Sequence, residues 1–308
     1  MAPTPKSKRG MGVTYYDTNY GNFQTSLYSE IRREAFGEDI GQNSWMTAGE
    51  QDMFLDWLHL SAGKKLLDIA CGSGGPALRI TTKTGCSLVG IDLHEQAIST
   101  AKSLASQRNL EKRTEFRAVN ASEPLPFPNA HFDAITCVDA INHIPNRPSV
   151  LAQWARLLKP GGRLLFTDPV TVTGPLTNEE LATRSSVGFL LFVPEGYDKE
   201  VIAQSGLRLL VIKNLTTNMA EVAGNRRAAP REKMRCRPAG RRRPAICSAA
   251  EPPGDGCSPS SRSAPVPFCL RLRENHLTKH WAPDMSAPQA ASRGEKPVPV
   301  PAFWDIGE

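Results

Sequence analysis

The sequence predicts an α/β fold, a doubly wound and mostly parallel sheet flanked by helices, with a helical cap in front of it. Three observations carry this. Short apolar runs alternate with amphipathic stretches from residue 65 to residue 224. A glycine-rich turn joins the first run to the first amphipathic stretch. A second turn, Pro160-Gly161-Gly162, opens the fifth run. Strands joined by crossovers of about a dozen residues run parallel and are covered on both faces, and such crossovers are right-handed.

In chain order, residues 1–13 are basic and lack the apolar centre of a secretory signal, so disorder is expected there. Residues 14–60 read as the helical cap. Tyr15, Tyr16, Tyr20, Phe23 and Tyr28 lead into a segment whose Met53, Phe54, Trp57 and Leu58 share one helix face. Glu30, Arg32 and Arg33 read as a solvated face of an earlier helix. Residues 61–224 form the main domain. Its strands are expected at Lys65–Ala70, Ser87–Asp92, Thr114–Val119, Phe132–Val138, Gly162–Thr167 and Leu207–Asn214. Its helices are expected at Pro76–Thr84, Glu95–Gln107, Pro148–Leu158 and about Gly196–Ser205, with residues 170–195 as an insertion on the substrate side.

The net charge of +6 suggests nucleic acid until it is located. Residues 225–308 hold 15 Lys+Arg against 8 Asp+Glu, leaving 22 basic and 23 acidic residues in the body. The basicity therefore belongs to the tail. That tail is rich in Arg, Pro, Ser and Ala, shows no period, and reads as disordered. It has no aromatic interleaving, which argues against nucleic-acid binding. No run of about 18 apolar residues exists to span a membrane. Cys71, Cys86 and Cys137 lack metal-type spacing, so no metal is expected. A cytoplasmic protein is the expectation; the oligomeric state is not legible.

Leu66-Leu67-Asp68-Ile69-Ala70 is a buried strand ending near a carboxylate. Cys71-Gly72-Ser73-Gly74-Gly75 is a tight turn, and Pro76 opens a helix. A helix start offers free N–H groups and a partial positive charge to a ligand. Gly72, Gly74 and Ala77 also satisfy the dinucleotide fingerprint, and Asp92 stands where its ribose-binding acid belongs. Asp68 argues against that reading. A carboxylate at the strand mouth repels a pyrophosphate and attracts an ammonium or sulfonium.

Two further blocks sharpen this. Leu158-Lys159-Pro160-Gly161-Gly162-Arg163-Leu164-Leu165-Phe166 and Leu125-Pro126-Phe127-Pro128 with Phe132-Asp133-Ala134-Ile135 follow the glycine turn in order. Together the three blocks resemble those of class I S-adenosylmethionine-dependent methyltransferases, in particular the small-molecule group that includes glycine, sarcosine and dimethylglycine methyltransferases and those of ubiquinone and menaquinone biosynthesis. The resemblance covers about residues 14–224 and implies a Rossmann-like fold with S-adenosylmethionine as cofactor. It implies that Asp68, Ala70, Gly72 and Gly74 face the methionyl part. Asp92 then accepts the ribose hydroxyls, Leu93 packs on adenine, and Asn120 with Ala121 meets the adenine edge. Asp139 and Ala140 border the sulfonium.

His143, just past the fourth strand, is the candidate catalytic base, with bracing of the next helix as its structural alternative. The partner expected is a small-molecule acceptor, most simply an amine nitrogen, since the cap aromatics Tyr16, Tyr20 and Trp45 suit an ammonium. C- or O-methylation of a quinone, phenol or other apolar molecule is the alternative, because Gly188–Phe192 offers an apolar wall. A catalytically weak cofactor-binding protein with a nucleic-acid-associating tail is a third reading. Finally, relatives end in a helix and an antiparallel strand. No alternating strand is visible after residue 227, so the terminal strand is expected to be missing, replaced by a tail that resembles an out-of-frame translation.

Overall fold

A computed structural model describes residues 16, 20, 22–185, 188–235 and 301–305. The cap contributes helices α1 (Ser26–Phe36) and α2 (Ala48–Leu58) ahead of the sheet. Thr25 caps α1 through its hydroxyl. Thr47 and Glu50 close a reciprocal capping box on α2, which satisfies two otherwise orphaned N–H groups.

The sheet then builds by alternation broken between β3 and β4, which a loop joins: β1 (Lys65–Ile69), α3 (Gly75–Thr84), β2 (Ser87–Asp92), α4 (Glu95–Gln107), β3 (Thr114–Ala118), β4 (Phe132–Cys137), α5 (Arg147–Leu157) and β5 (Leu158–Thr167). The expected insertion carries β6 (Thr171–Val172), α6 (Asn178–Ser185) and β7 (Val193–Pro194), the two short strands pairing with each other. The chain returns through α7 (Tyr197–Gln204), β8 (Arg208–Ile212), α8 (Thr216–Arg235) and β9 (Pro301–Asp305).

The strand order is β3-β2-β1-β4-β5-β9-β8, parallel throughout β1 to β5. Successive β1 residues serve opposite faces. Leu66 packs with Leu78 and Ile98 under α2, α3 and α4, and Leu67 packs with Trp154, Val201 and Ile202 under α5 and α7. A central strand covered on both sides has no polar face, which is why these strands are apolar runs.

Three expectations change. The antiparallel strand is present: β9 pairs with β5 on one side and β8 on the other. It lies between two strand edges that would otherwise stay unpaired, and an open edge is the strongest template for an added strand. The tail is also helical at its start, since α8 runs to Arg235. Residues 236–300, where most of the disorder expectation falls, lie outside the described residues, as do residues 1–13. Lastly, Arg32 is buried, not solvated. It pairs with Asp39 at 2.6 Å and lies 4.3 Å from the Phe23 ring centroid.

The cap is fastened at several points. The α3 residue Arg79 pairs with Asp52 of α2 at 2.6 Å. Helix α8 packs on α1 around Phe36 and Val222, with Trp45 against them.

Candidate functional site

The glycine turn sits at the C-terminal ends of β1 and β2, where ligands of open α/β sheets bind. Gly74 has φ 76°, and an added Cβ would lie 2.9 Å from Ala101. Gly75 explains itself differently: a Cβ there would meet the Ile40 carbonyl at 2.4 Å. The second glycine of the pair thus admits the cap loop, a contact that no local sequence signal reveals. Ala70 takes the left-handed region at φ 57°, where a Cβ is strained and glycine is not. Ala70→Gly is therefore expected to raise unfolding stability by up to about 1 kcal/mol in urea titration, and Ala70→Val to lower it by more than that.

Three carboxylates ring this turn. Asp68 is buried and accepts the Thr136 hydroxyl at 2.6 Å. Asp92 accepts the Gly72 N–H at 2.8 Å and the His94 N–H at 2.9 Å. Asp139, at φ 53°, accepts the Thr167 hydroxyl and the backbone N–H of Trp45, the latter at 2.6 Å. No Lys or Arg pairs with any of them among the described residues. Burial consequently pushes Asp68 up to about 7, helped by Asp92, and Asp139 up to about 6; Asp92 also shifts upward.

Such a site lacks positive charge, which a sulfonium and an ammonium supply and a pyrophosphate does not. The residues fit S-adenosylmethionine. Because the folded chain holds the Asp68 and Asp139 protons to higher pH than the unfolded chain, their ionisation opposes folding. Ligand-free stability is expected to fall by several kcal/mol between about pH 4 and pH 7, the span from the unfolded to the folded values. Asp68→Asn should flatten that slope in urea titrations across the range.

Leu93 is 56% exposed at the end of β2, an apolar surface open to a flat ligand. Asn120 is exposed, but its Oδ1 already accepts the Ser122 N–H at 3.0 Å and hydroxyl at 2.7 Å. Both lone pairs are thereby engaged, so a carbonyl contact with adenine requires that turn to open. Ala121 and Ala140 pack at the edge of the core beneath the site.

His143 lies in a short 3-10 turn, Ile141–His143, directly after β4. Its Nδ1 is 3.0 Å from the Phe189 carbonyl. A carbonyl only accepts, so Nδ1 carries the proton and Nε2 is the basic nitrogen. The Tyr16 hydroxyl donates to that Nε2 at 3.1 Å. Burial holds His143 below its ordinary value, opposed by the Phe189 bond and Asp168. Tyr16, Tyr20, His94 and His143 form one aromatic cluster over the turn.

The insertion is pinned to this loop a second time by the Leu191 N–H on the Asn142 carbonyl at 2.7 Å. Sequence reasoning missed three contributors: the Asp139–Trp45 tie, the Phe189 carbonyl, and Arg147. The last is fully buried beside the site and pairs with Asp168 at 2.6 Å and Asp198 at 2.7 Å.

The family described as a methyltransferase domain matches residues 60–192. That match spans 133 of the 308 residues. The chain is 32% identical over 166 residues to the 27-O-demethylrifamycin SV methyltransferase of Amycolatopsis mediterranei, covering 51% of this chain and 61% of that protein. It is 33% identical over 155 residues to a sterol 24-C-methyltransferase of Schizosaccharomyces pombe, covering 48% and 39%. The chain thus spans well under two thirds of that sterol enzyme and just under two thirds of the rifamycin enzyme.

In three dimensions the fold resembles that of a phosphoethanolamine N-methyltransferase 2 of Haemonchus contortus. That structure holds phosphomonomethylethanolamine and S-adenosylhomocysteine. The TM-score is 0.62 at 21% identity, covering 76% of this chain and 52% of that one. Among the described residues, no helix is long and apolar enough to cross a membrane, and no group of three or more His, Cys, Asp or Glu is placed to hold a metal.

Proposed function

We propose that this protein transfers the methyl group of S-adenosylmethionine to a small-molecule acceptor, with an amine nitrogen as the receiving atom. The reading rests on one arrangement: the buried carboxylates Asp68 and Asp92 and the half-buried Asp139, none paired with Lys or Arg among the described residues, with a neutral His143 at the same end of the sheet. When bound, the cofactor supplies a methyl group already activated by a sulfonium.

The chain's own work is positioning and proton handling. Asp92, which accepts the Leu93 N–H besides its Gly72 and His94 bonds, retains lone-pair capacity for a ribose hydroxyl. Asp68 and Asp139 offset the cofactor's positive charge. Leu93 offers apolar surface to the adenine, with Asn120 and Ala121 at its edge. The cap, held by Trp45 on Asp139 and by Ile40 and Gly41 on Gly75, keeps water from the methyl group. His143 Nε2 takes the acceptor's proton, and the Tyr16 hydroxyl marks the position where that proton donor sits.

O- or C-methylation is the second reading, favoured by the names of the rifamycin and sterol relatives. Incubation with methyl-labelled S-adenosylmethionine and a panel of amines, phenols and quinols separates them: label on amines supports the first reading, and label only on the others replaces it. His143→Gln is expected to slow transfer about 100- to 10,000-fold while S-adenosylhomocysteine binding stays unchanged. Turnover within a few-fold of the parent enzyme would sink the base assignment.

A further inference from the structure

We propose that the cleft between cap helix α2 and helix α8 binds a compact organic ammonium; this rests on the methyl-transfer reading, to which it adds a cation-binding site separate from His143, which does not line it. The cleft holds about 390 Å3 of free space, part of it open to solvent. Trp45, Met46 and Phe54 of the cap and Leu215 and Met219 of the α8 end wall it, and Glu50, Asp139, Thr167, Asp168 and Thr216 supply its polar groups. Asp139, two residues past β4, lines the cleft as well as carrying the tie to Trp45.

Two features select the ligand. The first is charge. No Lys, Arg or His lines the cleft. Asp168 is matched by Arg147, but Glu50 and Asp139 are held only by neutral donors. Glu50 Oε2 accepts the Thr47 N–H at 2.8 Å and hydroxyl at 3.1 Å, and Oε1 has no hydrogen bond among the described residues. A neutral phenol or quinone leaves two carboxylates desolvated without compensation, and a cation does not.

The second feature is a vacant hydrogen bond. Thr216 is 6% exposed, and its Oγ1 has no partner among the described residues. Buried hydroxyls are ordinarily satisfied, and an ammonium N–H satisfies this one. The aromatic and thioether walls complete a site of the kind that favours alkylated cations. Arg226 reaches the Trp45 ring at 4.9 Å but is not among the residues lining the cleft.

The test is calorimetric, with dimethylbenzylamine, protonated at pH 7, against benzyl methyl ether, a neutral compound of similar size. The amine is expected to bind the full chain at least tenfold more tightly than the ether. Glu50→Gln, which can keep the capping box, should remove most of that preference. Thr216→Val should weaken the amine about fivefold or more while melting at the same temperature or higher, because it deletes an unsatisfied hydroxyl. Equal binding of amine and ether, no amine binding, or amine binding unaltered in both variants would overturn the proposal. S-adenosylhomocysteine binding is measured in the same samples. Its absence tells against the methyl-transfer reading, whereas the amine–ether comparison reports on the cleft by itself.

Discussion

Deleting residues 301–308 is expected to cost on the order of 5 kcal/mol and to detach one end of the central sheet. Among the described residues, strand β8 pairs only with β9, and β9 alone joins it to β5. Without Pro301–Asp305, the main-chain groups of β5 and β8 along nine register positions lose their partners, at about 1 kcal/mol for each hydrogen bond not replaced by water. That is a large share of the stability of an ordinary domain. The consequence reaches the site, because the segment after β8 supplies Leu215, and α8 supplies Thr216 and Met219, to the cleft. Urea unfolding should show a lower midpoint and a broader, less cooperative transition. A synthetic peptide of residues 296–308 added to the truncated chain should restore part of both. An unchanged midpoint would mean that β9 contributes nothing to the sheet.

Arg147→Met is expected to cost about 3–5 kcal/mol, a large value for one side chain. The guanidinium is fully buried, and its two partners come from different elements: Asp168 just after β5 and Asp198 in α7. Removing it leaves Asp168, itself 2% exposed, as an uncompensated buried charge. The attraction lost is the smaller part of the cost; the stranded carboxylate is the larger. The double variant Arg147→Met, Asp168→Asn should therefore recover a good part of the loss. A double-mutant cycle in urea tests this directly, and a single-variant loss under 1 kcal/mol would contradict it.

How much of the site was legible follows from how local each feature is. The Asp68-to-Gly75 segment is strand, turn and helix start within eight residues, so its chemistry could be read from residue types and spacing. Asp92 ends the next strand, and its bond to the Gly72 N–H follows from β1 and β2 lying side by side. Asn120 was legible as a position but not as a contact, because the adjoining Ser122 captures its carbonyl in a short turn. Arg32 looked solvated on its own helix. Asp39, seven residues on, and the Phe23 ring bury it.

The sequence by itself determined the order of strands and helices, the glycine turn, the carboxylates at the strand ends and the class of cofactor. It did so because periodicity, turn chemistry and strand-end charge are properties of neighbouring residues. The tertiary structure alone decided the protonated nitrogen of His143, through a carbonyl 46 residues away in sequence. It decided the tie from Asp139 to the cap and the cleft between α2 and α8, whose walls come from distant segments. It also decided the last strand. Pro301–Asp305 carries β-forming Phe and Trp but follows a long Arg- and Pro-rich stretch, so nothing local marks it as part of the sheet. Its place was set by two unpaired strand edges, and only the folded sheet brings those edges together.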